Sequence, residues 1–321
     1  MAKTSTERGP LGDLDLAKVL PVEALRRIGE LGLVGFLAEY VEERVAGEPA
    51  MQWDPDFLAT TLPFLDTVLR YFDAEVRGFE HLPSKGPALL VGNHSGGTLV
   101  PDVAVFIASW YRARGLEHPL MALAFDAVFG LPGVGPAARR AGAMPASHDN
   151  AREALASGAS VLVYPGGDHD AYRPWSDRNR IDFAGRRGFV KLALREGVPV
   201  VPVVGHGAHE SVVVLSRGDA FSSALGFDRM RTTVMPLVWQ LPWGLSLPFV
   251  PGLPMPVKIS MQVGPPLDWS RHGPEAAEDP RIVARCYEEI SDSMQTTLDR
   301  LAAAHPHPLR ERLLTWLRGG G

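Results

Sequence analysis

Two short stretches of this chain hold residues whose types and spacing suit proton transfer. The first is GNHSGGTLVPD, Gly92 to Asp102. It places His94 after the apolar run Ala88–Gly92 and before Gly96 and Gly97, with no other titrating side chain until Asp102. A histidine titrates near neutrality, so it can take a proton from a hydroxyl and later release it. Such a base needs a partner on its other ring nitrogen, typically a carboxylate. Asp102, eight residues on, is within reach if the loop folds back as it enters a helix. Ser95, Gly96 and Gly97 leave the backbone bare, so their amide N–H groups could face a developing oxyanion. On residue types alone a second reading stands beside this one: a loop histidine in a glycine-rich turn, with Asp102 an ordinary acid of the first helical turn. The stretch is not a serine nucleophile elbow, because His94 stands where the serine of G-x-S-x-G would be.

The second stretch is YPGGDHDAYRPW, Tyr164 to Trp175. Gly166, Gly167, Asp168, His169 and Arg173 are its candidate substrate-binding residues. Asp168, His169 and Asp170 are consecutive, and three adjacent side chains do not converge easily on one ion, so no metal is expected. From Arg173 to Arg195 the chain carries seven Lys/Arg against two Asp, a net +5 against −5 for the whole chain. That basic stretch could hold phosphates or anionic headgroups, or be a solvated helix face laced with ion pairs. His206, His209, His305 and His307 read as polar loop residues, and Cys286 as a core residue.

These loops need elements to present them. ALLVG, SVLVYPGG, VPVVPVVGHG and PVKISMQVG read as strands, and PLMALAF as a strand or short buried segment. PDVAVFIASWYRARG, SHDNAREALASG and GRRGFVKLALREG read as helices, as does the long PRIVARCYEEISDSMQTTLDRLAAA near the C-terminus. Strands alternating with helices of about 10–15 residues predict an α/β domain with a mostly parallel central sheet flanked by helices. In such a sheet, sites form at the carboxyl ends of strands, where both loops fall. Upstream, apolar residues recur every three or four positions from Pro21 to about Glu48, and again after Asp54-Pro55, a good N-cap and first helical residue. The expected organisation is a flexible tail over 1–20, an N-terminal amphipathic helical pair over 21–74, and the α/β domain with its C-terminal helix over 75–321. The helical pair could pack on the main domain or lie on a bilayer.

Composition narrows the function classes. The chain has 321 residues, 45% of them hydrophobic, and a net charge of −5, which argues against a nucleic-acid partner. A single cysteine allows no internal disulfide and fits a reducing, cytoplasmic setting. The N-terminus shows no apolar signal segment. Val234 to Val257 carries no charge over 24 residues, yet eight of them are proline or glycine, which rules out a spanning helix. Two readings remain for it: a loop on a membrane surface, with Trp239 and Trp243 at the interface, or a buried connection between core elements.

Taken together, GNHSGGTLVPD, YPGGDHD, RRGFVKLALREGVPVVPV, the lead-in VRGFEHLPSKGPALLVGNH and the closing MQVGPPLDW resemble the glycerolipid acyltransferase superfamily, which includes lysophospholipid acyltransferases. The likeness covers roughly Glu75 to Trp269. The superfamily's common first motif is Asn-His, four residues, Asp. Here the fifth position after His94 is Leu99, and the acid comes three residues later as Asp102. That spacing, with PGG where the superfamily has Pro-Glu-Gly-Thr-Arg, is similar to the branch of mono- and diacylglycerol acyltransferases. The resemblance implies an acyl-CoA-dependent O-acyltransferase of lipid metabolism, moving an acyl group from acyl-CoA or acyl-carrier protein to a hydroxyl of a glycerolipid or lysophospholipid. His94 is then the general base, Asp102 orients it, and no cofactor or metal is needed beyond the acyl-CoA co-substrate. Arg139 and Arg140 fall where the second motif would, and are expected to support phosphate contact. A peripheral position on the cytoplasmic face of a membrane is the expected location. Two other classes remain in view: an acyl-CoA or lipid-binding protein without turnover, and a lipid or thioester hydrolase.

Overall fold

In the computed structural model, residues 39–46, 48–218, 235–247, 250 and 252–319 are described. The expected tail and most of the first amphipathic helix (residues 1–38) lie outside them. The second expected helix is α1, Pro55–Tyr71, capped by the Asp54 carboxylate, which accepts from the Phe57 N–H.

The main sheet has seven strands among the described residues, in the order β1-β10-β6-β2-β5-β3-β4. These are β1 Glu75–Arg77, β2 Leu89–Gly92, β3 Leu120–Ala124, β4 Ala143–Pro145, β5 Ser160–Val163, β6 Val200–His206 and β10 Ser260–Val263. The five strands from β6 to β4 run parallel. At the other edge β10 runs antiparallel to β6, and β1 pairs parallel with β10. The centre reads as continuous apolar runs because both faces are covered. Every residue of β2 and of β6 is buried.

Alternation along the strands sorts the core into two layers. Leu89, Val91, Val161, Val200 and Val204 face α3 (His148–Ala156), α5 (Gly188–Glu196) and the long α6 (Pro280–Ala304); the short α4 (Gly167–Ala171) falls between α3 and α5 in the chain. Leu90, Leu162, Val201 and Val203 face α1 and α2 (Pro101–Arg114). α6 has the bounds its pattern predicted, with Asp279 as N-cap. β10 is shorter than its nine-residue motif, and α5 starts at Gly188, past the two arginines expected to open it.

In its described residues the stretch 234–257 is not a buried connection: it forms strands with exposed apolar side chains. Its described part forms β8 (Leu237–Gln240) and β9 (Gly244–Ser246). With β7 (Val213–Ser216) they make a second, antiparallel sheet in the order β7-β8-β9. Val238 turns inward onto Val212, Val214 and Tyr172. Leu237, Trp239, Leu241, Trp243, Leu245 and Leu253 are exposed, Leu253 by 65%.

Candidate active site

β2 and β5 are parallel neighbours in register, Leu90 beside Leu162 and Val91 beside Val163. Their carboxyl ends therefore deliver the two loops side by side. Asn93 ties the first loop to β6: its Nδ2 donates to Gly205 O and its Oδ1 accepts from Gly205 N–H, both at 2.8 Å. The side-chain amide thus acts as one more rung of the ladder.

Past Asn93 the chain doubles back. Gly96 and Gly97 have positive φ, and a Cβ on Gly96 would lie 2.4 Å from the Pro101 ring, so the turn closes only around glycine. A short 3-10 turn, Gly97–Leu99, and a left-handed Val100 (φ 39, ψ 58) then lead into α2. This return brings Asp102, fully buried in the first turn of α2, to His94. Its Oδ2 lies 2.9 Å from His94 Nδ1 and accepts from the Ser95 N–H, also at 2.9 Å. With Nδ1 donating to the carboxylate, the neutral imidazole has its lone pair on Nε2, which makes no hydrogen bond among the described residues. The ring is stacked on Tyr164, centroids 4.5 Å apart. A Cβ on Gly92 would strike the Tyr164 ring at 2.4 Å, so the last residue of β2 makes room for that stack.

The electrostatics favour the protonated ring. Burial of His94 opposes the imidazolium, but the charge and hydrogen bond of Asp102, with the charge of Asp170, outweigh it, and the pKa rises above the ordinary histidine value. Burial and the Asp102 charge push the Tyr164 phenol well above its usual range, so it stays protonated.

The second loop sends its three consecutive polar residues to three different partners. Asp168 pairs with Arg186 at 3.1 Å. His169 lies 3.1 Å from Asp182, with Arg217 against its ring. Asp170 turns inward to Arg173 and to the His94 N–H. Gly166 and Gly167 allow this: a Cβ on Gly166 would meet Asp170 Cβ at 2.3 Å, and Gly167 adopts φ +50 beside Arg186 Nη1.

Three expected arginines do not present a free cation to this site. Arg173 is 1% exposed and turned into the protein. Arg139 and Arg140 sit just before β4, at the amino ends of the parallel strands, opposite His94. Arg139 bonds the carbonyls of Pro49 and Arg44 and covers the Phe129 ring; Arg140 grips Asp54 at 2.7 Å. Ser95 also differs from expectation, since its N–H is spent on Asp102. The amides of Gly96 and Gly97 have no hydrogen-bond partner among the described residues. Sequence reasoning passed over Asn93, Tyr164 and Asp170 as site-building residues; all three lie inside the two quoted motifs, and the paired glycines were the signal that something packs against the backbone there.

With this geometry in hand, comparison with known proteins is informative. The family model described as Acyltransferase matches residues 73–205. An uncharacterized protein of Mycobacterium tuberculosis is 31% identical over 277 residues, covering 84% of this chain and 75% of its own length. The DGAT1/2-independent enzyme synthesizing storage lipids of Bos taurus is 26% identical over 227 residues, 70% of this chain and 59% of that enzyme. Phytyl ester synthase 2, chloroplastic, of Arabidopsis thaliana is 33% identical over 135 residues, 40% of this chain and 19% of that protein. The chain belongs to the acyltransferase family. Among the described residues no helix is long and apolar enough to cross a membrane.

Proposed function

We propose that this acyltransferase moves a fatty acyl group from acyl-CoA or acyl-carrier protein onto the hydroxyl of a lipid alcohol, at the surface of a bilayer. The observation that carries this reading is the His94–Asp102 pair at the mouth of the parallel sheet, 2.9 Å apart through Nδ1, with Nε2 making no hydrogen bond among the described residues. Nε2 takes the proton of the acceptor hydroxyl as its oxygen attacks the thioester carbonyl. The tetrahedral intermediate then collapses, the C–S bond breaks, and the imidazolium returns the proton to the leaving thiolate. Asp102 holds the productive tautomer and offsets the charge that forms on the ring. The amides of Gly96 and Gly97, two and three residues past the base and without a hydrogen-bond partner among the described residues, are the candidate donors for the oxyanion. No covalent acyl-enzyme is required, and neither loop contains a cysteine.

Among glycerolipid and lysophospholipid acceptors, the arrangement favours a neutral one. Arg139, Arg140 and Arg173, the cations expected to hold a phosphate, are engaged by the protein itself. The names of the bovine and plant relatives point the same way, toward storage lipids and phytyl esters. The exposed apolar face of the β7-β8-β9 sheet supports peripheral attachment to a membrane.

The test is an acceptor panel. Purified protein is incubated with labelled palmitoyl-CoA and, separately, diacylglycerol, a long-chain alcohol, lysophosphatidate and lysophosphatidylcholine. Acylated neutral lipid is expected for the wild type, with a loss of about 10²–10⁴-fold in His94→Ala, the usual worth of a general base. Donor bound without product would replace this reading with a binding protein. Free fatty acid released without an acceptor would replace it with a hydrolase.

A further inference from the structure

We infer that Asp170 and Arg173 form a buried clamp that positions His94 through its main chain, and that both are positioning residues for the reaction. The inference rests on His94 acting as the base. Asp170 is 0% exposed and Arg173 1%, and their Oδ1 and Nη2 atoms lie 2.6 Å apart. The other carboxylate oxygen, Oδ2, accepts the His94 N–H at 2.5 Å, and Arg173 Nη2 donates to His94 O at 3.4 Å. One ion pair thus holds both polar groups of the His94 peptide backbone. Asp102 meanwhile holds the His94 ring and the next N–H in the chain. Two carboxylates from two loops therefore fix consecutive amides on either side of the reacting ring.

The cost of this arrangement argues that it serves the site. Burying an ion pair takes two charges out of water, and a packed apolar pair is often as stable. Here the chain accepts that cost next to the base, and spends a glycine on it, since any side chain at Gly166 would push Asp170 out of reach. Without the clamp the His94 N–H, just past the end of β2, would be a buried donor with no partner. The pair also acts on the ring by charge. The groups that face His94 are Asp102 from α2, Tyr164 from the end of β5, Asp170 and Arg173 from the second loop, and His209 from the turn after β6. Burial and the adjacent Arg173 hold His209 well below the usual histidine range, so it stays neutral and accepts from Arg173 at 3.1 Å. Asp170 and Arg173 pull the His94 affinity for protons in opposite directions.

That opposition gives the clamp a signature that a merely structural pair lacks. The full chain is assayed with palmitoyl-CoA and dioleoylglycerol as a function of pH, in the wild type, Asp170→Asn and Arg173→Gln. In both variants kcat is expected to fall at least tenfold, with KM for each substrate within about threefold. The acid limb of the profile should move to lower pH in Asp170→Asn, which leaves Arg173 unopposed, and to higher pH in Arg173→Gln. Should a single variant fail to fold, the double variant Asp170→Asn/Arg173→Gln, which buries no lone charge, carries the test: folded, it should show the kcat loss with the limb near its wild-type position. Wild-type kcat in either folded single variant, limbs that do not move apart, or wild-type kcat in the double variant would overturn the clamp. His94→Ala run alongside separates the two ideas. An active His94→Ala removes the base, and the clamp with it; an inactive His94→Ala beside a fully active Asp170→Asn removes the clamp alone.

Discussion

To act as the proposed base His94 must lose its proton, yet its surroundings favour keeping it. Burial disfavours the imidazolium, but Asp102 and Asp170 more than compensate, so the folded-state pKa lies above the ordinary value of about 6.5. Two consequences follow in opposite directions. Activity should be low in acid and rise as pH passes through this raised pKa, so the acid limb of kcat/KM should lie above about pH 6.5. Stability runs the other way. A raised folded pKa stabilises the fold fully below the unfolded-state value, and that contribution fades as pH climbs through the folded one. The wild-type melting temperature should therefore decline across this window more than that of His94→Gln, which cannot titrate; parallel melting curves from pH 6 to 9 would contradict the assignment. Asp102→Asn tests the partner: the amide cannot specify the same tautomer, and a loss on the order of 10⁴ in kcat is expected. At this scale residue types left His94 and Asp102 open between a proton-transfer pair and an ordinary glycine-rich turn; the further blocks of the family resemblance tipped the reading, and the fold brings the two side chains to 2.9 Å. Arg139, Arg140 and Arg173 were misjudged because a sequence counts charges without revealing which are buried against a carbonyl or carboxylate.

The elements around these residues were more readable than their arrangement. Strands buried on both faces announce themselves as apolar runs, and α6 is bounded by Asp279-Pro280 at one end and by a proline after its last residues at the other. Nothing in a strand of four residues states its direction, so the antiparallel β10 and the strand order came only from the fold. The loop between His94 and Asp102 is the sharpest example. Its eight-residue separation is plain in the sequence, but the way the added length is absorbed is not. It coils into Gly97–Leu99 and then turns at Val100, a β-branched residue in the left-handed region. Such a conformation costs on the order of 1–3 kcal/mol and persists where the surroundings impose it. Val100→Gly removes the strain at the expense of about 0.5–1 kcal/mol of unfolded-chain entropy. The expected result is a raised urea midpoint together with a severalfold lower kcat, because the return of Asp102 toward His94 is then less fixed. A lower midpoint would mean that the Val100 side chain contributes more by packing than its backbone costs.

At the scale of the molecule, Tyr172 links the small sheet to the loop that carries His94. Tyr172 packs under Val212, Val214 and Val238, and its hydroxyl lies 2.6 Å from Thr98 Oγ1 in the loop that follows His94. Val212 and Tyr172 also lie close to Gly97. The apolar outer face of that sheet is therefore carried beside the site. A soluble surface with Trp239 and Leu245 paired across strands, and with no charge from Met235 to Val257, is poorly protected against association in water. Its chemistry suits the bilayer interface, where indoles settle at headgroup depth and the open strand edge can still meet water. The magnitude makes the idea testable. Two indoles of roughly 150–250 Å² each, exposed by 41% and 59%, offer about 200 Å² in all, an upper bound near 5 kcal/mol at about 25 cal/mol per Å². Even a third of that exceeds a tenfold change in partitioning. Wild-type protein should float with vesicles containing anionic lipid, and Trp239→Ser/Trp243→Ser should remain largely in the soluble fraction. The same variant should lose at least tenfold in the acylation of dioleoylglycerol held in vesicles, while its rate on water-soluble dihexanoylglycerol stays within about twofold of wild type. Equal losses on both acceptors would mean that the indoles support the fold of the site, and no loss on either would mean that the lipid reaches His94 by another face.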